Sequence, residues 1–275
     1  MDLSANTPTQ LLHALRSNNP TSPRLTWYGP DSERVEFSGR VLDNWVAKTA
    51  NYLVDELDAE PGTVIALDLP LHWRSLVWML ATWAVGATAV TADGAAASAG
   101  AGGSGKEVSG MQVSGTDANI IATASPEVVH SQLSGAKGDP LVVAVALPAL
   151  QMRWMGELPP RTLDYSGDVR SHADVFFADA EAEATDIAWR HVAKDSSTQE
   201  TSYAQLLAGG EELLSIPGTV LAAQPQRVLL EAKEGWAAVV HDALKNWAAG
   251  GSVVLLGDGV GVSETVRASE NITLG

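Results

Sequence analysis

The chain has no cysteine. That excludes disulfides, thiolate nucleophiles, Cys-ligated zinc and iron–sulfur clusters. Positive charge is scarce. Lys and Arg number 17 against 33 Asp and Glu, for a net charge of −16, and no stretch holds more than two basic residues close together. A surface this acidic repels nucleic acid and anionic membrane leaflets, so neither is an expected partner. Met1–Asn6 is short and polar and lacks an apolar run. No signal peptide is expected, and the expected location is the cytoplasm. One uncharged run, Ser75–Ala92, approaches the length of a membrane span. It carries Thr82, Gly86, Thr88 and Thr91, and a helix to Val85 followed by a strand over Ala87–Val90 accounts for it without a bilayer.

What is present describes a folded protein. The 275 residues are 45% apolar and include nine Trp. A chain of this length buries roughly three quarters of its unfolded surface, and a prior of roughly 150 residues per domain allows one or two domains. Thr7 or Thr9 caps a helix carrying Leu11, Leu12 and Leu15. Arg24–Tyr28 and Arg34–Phe37 form a hairpin around Gly29-Pro30-Asp31. Ser38 caps a helix whose face carries Val41, Leu42, Trp45, Val46, Thr49, Leu53 and Leu57. Strands are expected at Val64–Leu69, Ala87–Val90, Asn119–Thr123, Leu141–Leu147, Ile187–Val192, Arg227–Leu230 and Ser252–Leu256. Helices are expected at Trp73–Val85, from the Ser202/Gln205 capping box through Leu214, and at Gly235–Ala249. Asp93–Thr116 is Gly, Ala and Ser with almost no apolar bulk and reads as a flexible loop. Gln151–Gly167 reads as irregular, and Asp174–Asp186, with five acids and no base, as a solvated acidic loop.

Two segments echo each other. Val64–Val90 runs strand, Trp73, helix, Trp83, Gly86, strand; Val228–Val254 runs strand, Trp236, helix, Trp247, Gly250, strand. Trp83 and Trp247 each precede their glycine by three residues, and a Pro-Gly precedes each unit. Both spell a βαβ crossover whose helix ends where glycine adopts positive φ cheaply. The expected fold is therefore α/β, with two pseudo-repeated βαβ lobes of mostly parallel sheet flanked by helices. The expected layout is a first lobe over 1–92, a flexible Gly/Ala/Ser-rich loop over 93–117 and a second lobe over 118–275, packed together as one domain.

Several motifs mislead. Gly100–Lys106 matches seven places of a phosphate-binding P-loop, but Glu107 stands where a Ser or Thr must hold magnesium. The same residues spell a dinucleotide glycine pattern without its strand and helix. Histidines 13, 72, 130, 172, 191 and 241 are scattered, with no pair spaced for metal and no nucleophile elbow. A hydrolase site assembled only in space is a distant option.

Thr7–Leu12, Phe37–Leu42, Pro61–Leu67 ("PGDRVAL"-like), Trp83–Ala87 ("KAGA"-like), Arg227–Leu230 and Ala248–Leu255 ("LAGGSVVLL"-like) stand in the order of the N-terminal part of AMP-binding, adenylate-forming enzymes. The chain resembles the acyl-CoA synthetase and ligase superfamily over about half its length, and most closely a small actinobacterial family with twilight similarity to it. That resemblance implies a phosphate loop of the form "TSGSTGxPKG" near Lys194–Glu200, with Ser196, Ser197 and Thr198 as degenerate nucleotide contacts and Trp236 on the substrate side. The glycines and closing Lys are gone and acids flank the hydroxyls, which opposes a polyanion. The family's "YGxTE" segment, ribose-binding Asp and C-terminal catalytic Lys have no counterpart before Gly275, so adenylation is expected to be lost. The resemblance thus implies a non-catalytic, truncated relative that binds a small acyl or nucleotide ligand or regulates a protein partner. It carries no catalytic residue, metal or cofactor of its own, with ATP or AMP the ligands to test. The alternative is an active AMP-forming acid–thiol ligase component completed by another chain.

Overall fold

The computed structural model describes residues 7–93, 117–134, 139–207 and 225–273. The expected loop over 94–116 and the helix beyond residue 207 lie outside them.

The chain opens with helix α1 (Pro8–Ser17), whose Thr7 hydroxyl accepts the Gln10 N–H. Strands β1 (Pro23–Tyr28) and β2 (Arg34–Ser38) form the expected hairpin. Ser38 caps α2 (Gly39–Leu57), which buries Leu42, Val46, Ala50, Leu53 and Leu57. Val41, expected on that face, is 39% exposed because it lies a full 100° round the helix from Leu42. Then come β3 (Val64–Asp68), α3 (Trp73–Ala84), β4 (Thr88–Ala92), β5 (Ile120–Thr123), α4 (Pro126–Leu133), β6 (Leu141–Ala144), β7 (Thr162–Asp164) and α5 (Tyr165–Asp168). The chain continues through β8 (Ile187–Val192), β9 (Thr198–Ser202), β10 (Arg227–Glu231), α6 (Trp236–Ala248), β11 (Ser252–Leu256) and α7 (Glu264–Ser269). Every residue from Trp73 to Trp83 is buried, as an apolar helix caught between other layers must be. No helix among the described residues is long and apolar enough to cross a membrane.

Seven strands form one sheet in the order β7-β6-β5-β3-β4-β8-β9, and four form a second in the order β10-β11-β1-β2. All pairings are parallel except β8–β9 and β1–β2. One apolar cluster joins the sheets, holding Leu25 and Val253 of the smaller with Ile65 and Leu67 of the larger.

The pseudo-repeat is deeper than the two βαβ units. Strands β3-β4-β8-β9 and β10-β11-β1-β2 lie in the same order with the same senses: a βαβ pair, a third parallel strand, then an antiparallel return. Gly86 and Gly250 end α3 and α6 at φ 79° and 76°. In each case the next residue's N–H returns to the third-last helical carbonyl (Ala87 to Thr82, 3.0 Å; Gly251 to Asn246, 2.8 Å), a Schellman ending. Trp83 Nε1 donates to Ala188 O on β8 at 2.9 Å, and Trp247 Nε1 donates to Arg24 O on β1 at 2.8 Å. Each indole bonds the strand just beyond its own crossover.

Two strands of the 1–92 segment, β1 and β2, belong to the sheet built by β10 and β11, while β8 and β9 complete the sheet of β3 and β4. The repeat is thus interleaved in sequence. The expected Leu141–Leu147 strand stops at Ala144. The stretch expected to be irregular over 151–167 contains β7 and the start of α5. Three residues of strand offer too little alternation to be read.

Candidate functional site

In open parallel α/β sheets the crevice beyond the carboxyl ends of the strands receives ligands. Here those ends bring Asp93, after β4, against the end of β8 and the start of α6. The Asp93 N–H bonds Val192 O at 2.9 Å, and its Oδ1 accepts the Trp236 N–H at 2.9 Å. Asp93 therefore ties the larger sheet to the helix of the smaller one, with its negative charge at a helix N-terminus where it is favoured. Gly235 permits this approach. It sits at φ 90°, and a Cβ there would lie 2.9 Å from Asp93 Oδ1.

Beneath Asp93 lies a buried polar chain. Trp189 Nε1, which can only donate, bonds Thr91 Oγ1 at 2.9 Å. Thr91 Oγ1 lies 3.0 Å from His191 Nδ1, and His191 Nε2 lies 3.4 Å from Asp93 Oδ2. Having accepted the Trp189 proton, Thr91 Oγ1 can give its own to His191 Nδ1, while Nε2 faces the carboxylate without a hydrogen bond. The order Asp–His–hydroxyl resembles a hydrolytic relay. Thr91 is completely buried and His191 is 2% exposed, so the hydroxyl cannot reach a substrate. The arrangement positions β8 against β4. No group of three metal-ligating side chains occurs among the described residues.

The residues expected to touch nucleotide sit where β8 turns back as β9. The turn closes with Ala193 N–H on Ser197 O at 2.9 Å and Ser196 N–H on Ala193 O at 2.8 Å, with Ser196 at φ 67°. The β1–β2 turn closes over the same span, Gly29 N–H on Glu33 O at 2.9 Å. Asp195 Oδ1 accepts both the N–H and the hydroxyl of Ser197, at 2.9 and 2.6 Å. Those two bonds hold the Asp195 carboxyl below its usual range. Thr198 already pairs with Val192 in the ladder. The structure thus brings Ser196, Ser197 and Thr198 together at one exposed turn. Trp236 is elsewhere: it is 3% exposed, its ring in the core, and its N–H bonds Asp93, which in turn bonds Val192 at the foot of the turn. Asp93, Thr91, His191 and Gly235 escaped the sequence reading. Their signal was faint: polar residues at the carboxyl ends of apolar strands. A shallow groove lined by Pro61, Gly62, Asn119 and Leu141 lies at the opposite, amino-terminal edge of the large sheet.

No family model matches the chain. A TIGR03089 family protein of Mycobacterium tuberculosis is 43% identical over 74 residues, which cover 25% of this chain and 30% of that protein. An acyl-CoA synthetase of Brucella canis superposes with a TM-score of 0.69 at 15% identity, over 98% of this chain and 46% of that one. The luciferase-like enzyme of the mealworm Zophobas morio gives a TM-score of 0.72 at 12% identity, over 100% and 60%. Acetoacetyl-CoA synthetase of Streptomyces lividans gives 0.70 at 16%, over 98% and 42%. The chain therefore has the α/β fold of the N-terminal part of the adenylate-forming, acyl-CoA synthetase-like enzymes, and spans about half the length of the solved relatives it matches.

Proposed function

We propose that this chain is a non-catalytic relative of the N-terminal part of adenylate-forming ligases, which binds a small ligand or regulates a protein partner and does not activate an acid with ATP. The observation that carries the reading is the Ser197–Asp195 pairing. A phosphate loop needs free amides and hydroxyls converging on empty space. In this turn a carboxylate already occupies the Ser197 N–H and hydroxyl, and its charge opposes a triphosphate. No glycine among Lys194–Glu200 lets backbone approach an anion. With the reading go a cytoplasmic location, no resident cofactor, and no nucleic-acid or membrane partner, in keeping with the net charge of −16.

Calorimetry and thermal shift with ATP, AMP and a non-hydrolysable acyl-adenylate analogue test it. The expected result is no binding at millimolar concentration. Millimolar or tighter ATP binding that Thr198→Ala abolishes would refute the proposal and favour a ligase component completed by a second chain. Silence across the nucleotides, with one protein recovered reproducibly in pull-down, would support the regulatory form.

A further inference from the structure

Five of the six large apolar side chains exposed among the described residues fall on two loops. Leu150, Met152 and Met155 stand on the β6–β7 loop, and Val175 and Phe177 on the connection from α5 to β8. Leu150 is 93% exposed and Phe177 84%. Scattered apolar residues on a surface are ordinary, but groups of them mark a face that is covered in use. The first loop is held in shape. The Ala149 N–H bonds Glu33 Oε1 at 2.6 Å, and the Trp154 N–H bonds Asp164 Oδ2 at 2.8 Å. Its apolar side chains therefore project from pinned backbone, which lowers the ordering cost of binding.

The two loops carry opposite charge. Arg153 stands among the apolar residues of the first, exposed and without an ion pair, while Glu157 lies beyond the turn that Gly156 makes at φ 104°. Asp179 and Glu181 follow Phe177 on the second, exposed and equally unpaired. The loops also share one face of the molecule, strung over the same stretch of α2. Arg170 Nη1 donates to Met152 O at 3.2 Å, and Lys48 Nζ donates to Arg170 O at 3.3 Å. Three residues along α2, Asn51 Nδ2 donates to Val175 O at 3.0 Å. One helical turn thus anchors both loops, a basic apolar half beside an acidic apolar half.

We propose that this face is the interface of a two-fold dimer of the chain, in which the 150–155 loop of each copy covers the 175–181 segment of the other. A two-fold axis needs a single patch that is complementary to itself, and adjacent halves of opposite charge supply one. A net charge of −16 makes two copies repel in random encounters, so copies pair where positive meets negative. Met, Phe and Arg are the residues that interface centres favour. The acidic 174–186 stretch, which sequence alone assigns to solvent, thereby gains a partner for its apolar side chains. The dimer face is distinct from the β8–β9 turn and does not rest on the proposed function.

The test is sedimentation equilibrium of the full chain at about 0.15 M salt, where charges more than about 8 Å apart are screened. The expected result is a reversible monomer–dimer equilibrium in the micromolar range. Arg153→Glu and Asp179→Arg should each weaken the dimer about tenfold or more, because each sets like charges against each other twice across the axis. An equimolar mixture of the two variants should dimerise again, since both contacts then pair opposite charges. Both side chains are exposed and unpaired, so circular dichroism should show unaltered folds. Phe177→Ser should weaken the dimer without any change of charge. The proposal is overturned if the wild-type chain stays monomeric at about 0.1 mM, if both charge variants dimerise as tightly as the wild type, or if their mixture remains monomeric.

Discussion

If the two four-strand units are structural equivalents, Trp83→Phe and Trp247→Phe should cost nearly the same. Each substitution keeps an aromatic ring in the core and deletes one indole N–H. Trp83 is 3% exposed and bonds Ala188 O at 2.9 Å; Trp247 is 2% exposed and bonds Arg24 O at 2.8 Å. Removing the donor leaves a buried carbonyl short of a partner, at about 1–3 kcal/mol. The smaller ring opens a cavity that adds about 1–2 kcal/mol. Each variant should therefore lose about 2–5 kcal/mol, and the two values should agree within about 1 kcal/mol. Urea unfolding followed by far-ultraviolet circular dichroism measures both, with an unchanged m-value showing that the unfolded state is unaffected. A cost below about 0.5 kcal/mol in one variant beside more than about 2 kcal/mol in the other would refute the equivalence.

Further expectations follow from single residues. Gly235→Ala places a side chain in a backbone region that is nearly glycine-only and against Asp93; it should destabilise by about 2 kcal/mol or more, read as a fall in Tm. In Asp93→Asn the charge at the start of α6 is lost while a side-chain oxygen remains to accept the Trp236 N–H, so a loss of about 0.5–1 kcal/mol is expected, and a larger loss in Asp93→Ala. Burial alone would raise the pKa of Glu270, but bonds from Tyr28, Arg227 and Arg34 outweigh it and hold it below 4.5. Its stabilisation is therefore present above the unfolded value and lost as pH falls through the folded one, and Glu270→Gln should flatten the acid limb of a Tm–pH curve. Burial, then Arg74, lowers the His72 pKa well below 6.5. The folded state holds His72 neutral while the unfolded chain protonates, so stability should decline as pH drops below about 6.5, and nuclear magnetic resonance should find no His72 titration there.

Most of the fold is legible from period and punctuation. The Trp–x–x–Gly endings mark both crossovers because a helix lying on a sheet needs a left-handed residue to turn into the next strand, and glycine supplies it at Gly86 and Gly250. The partnership of β1 with β11 is not legible, since nothing local in Arg24–Tyr28 says which of two similar sheets it will join. Helix α4 was missed because eight residues with only Pro126 and Val129 buried make a weak stripe. The Ser196–Thr198 segment was located by order along the chain, but its tight closure depends on Ser196 adopting positive φ and on Asp195 reaching Ser197, which composition does not reveal. In sequence Asp93 stands as the first residue of a featureless Gly/Ala/Ser tract, yet its neighbours in space are residues 192 and 236.

The interleaved sheets have a consequence for synthesis. The β1–β2 hairpin leaves the ribosome well ahead of the strand that seats it, since β11 is made more than two hundred residues later. Until then the edge of β1 over Leu25–Tyr28 has no strand to pair with, although Leu25 and Trp27 are fully enclosed in the finished protein. Translation must pass Leu256 before the smaller sheet can close. A nascent chain stalled ahead of Ser252 should expose that hairpin to chaperones and proteases, and folding in the test tube should be slow for the same reason.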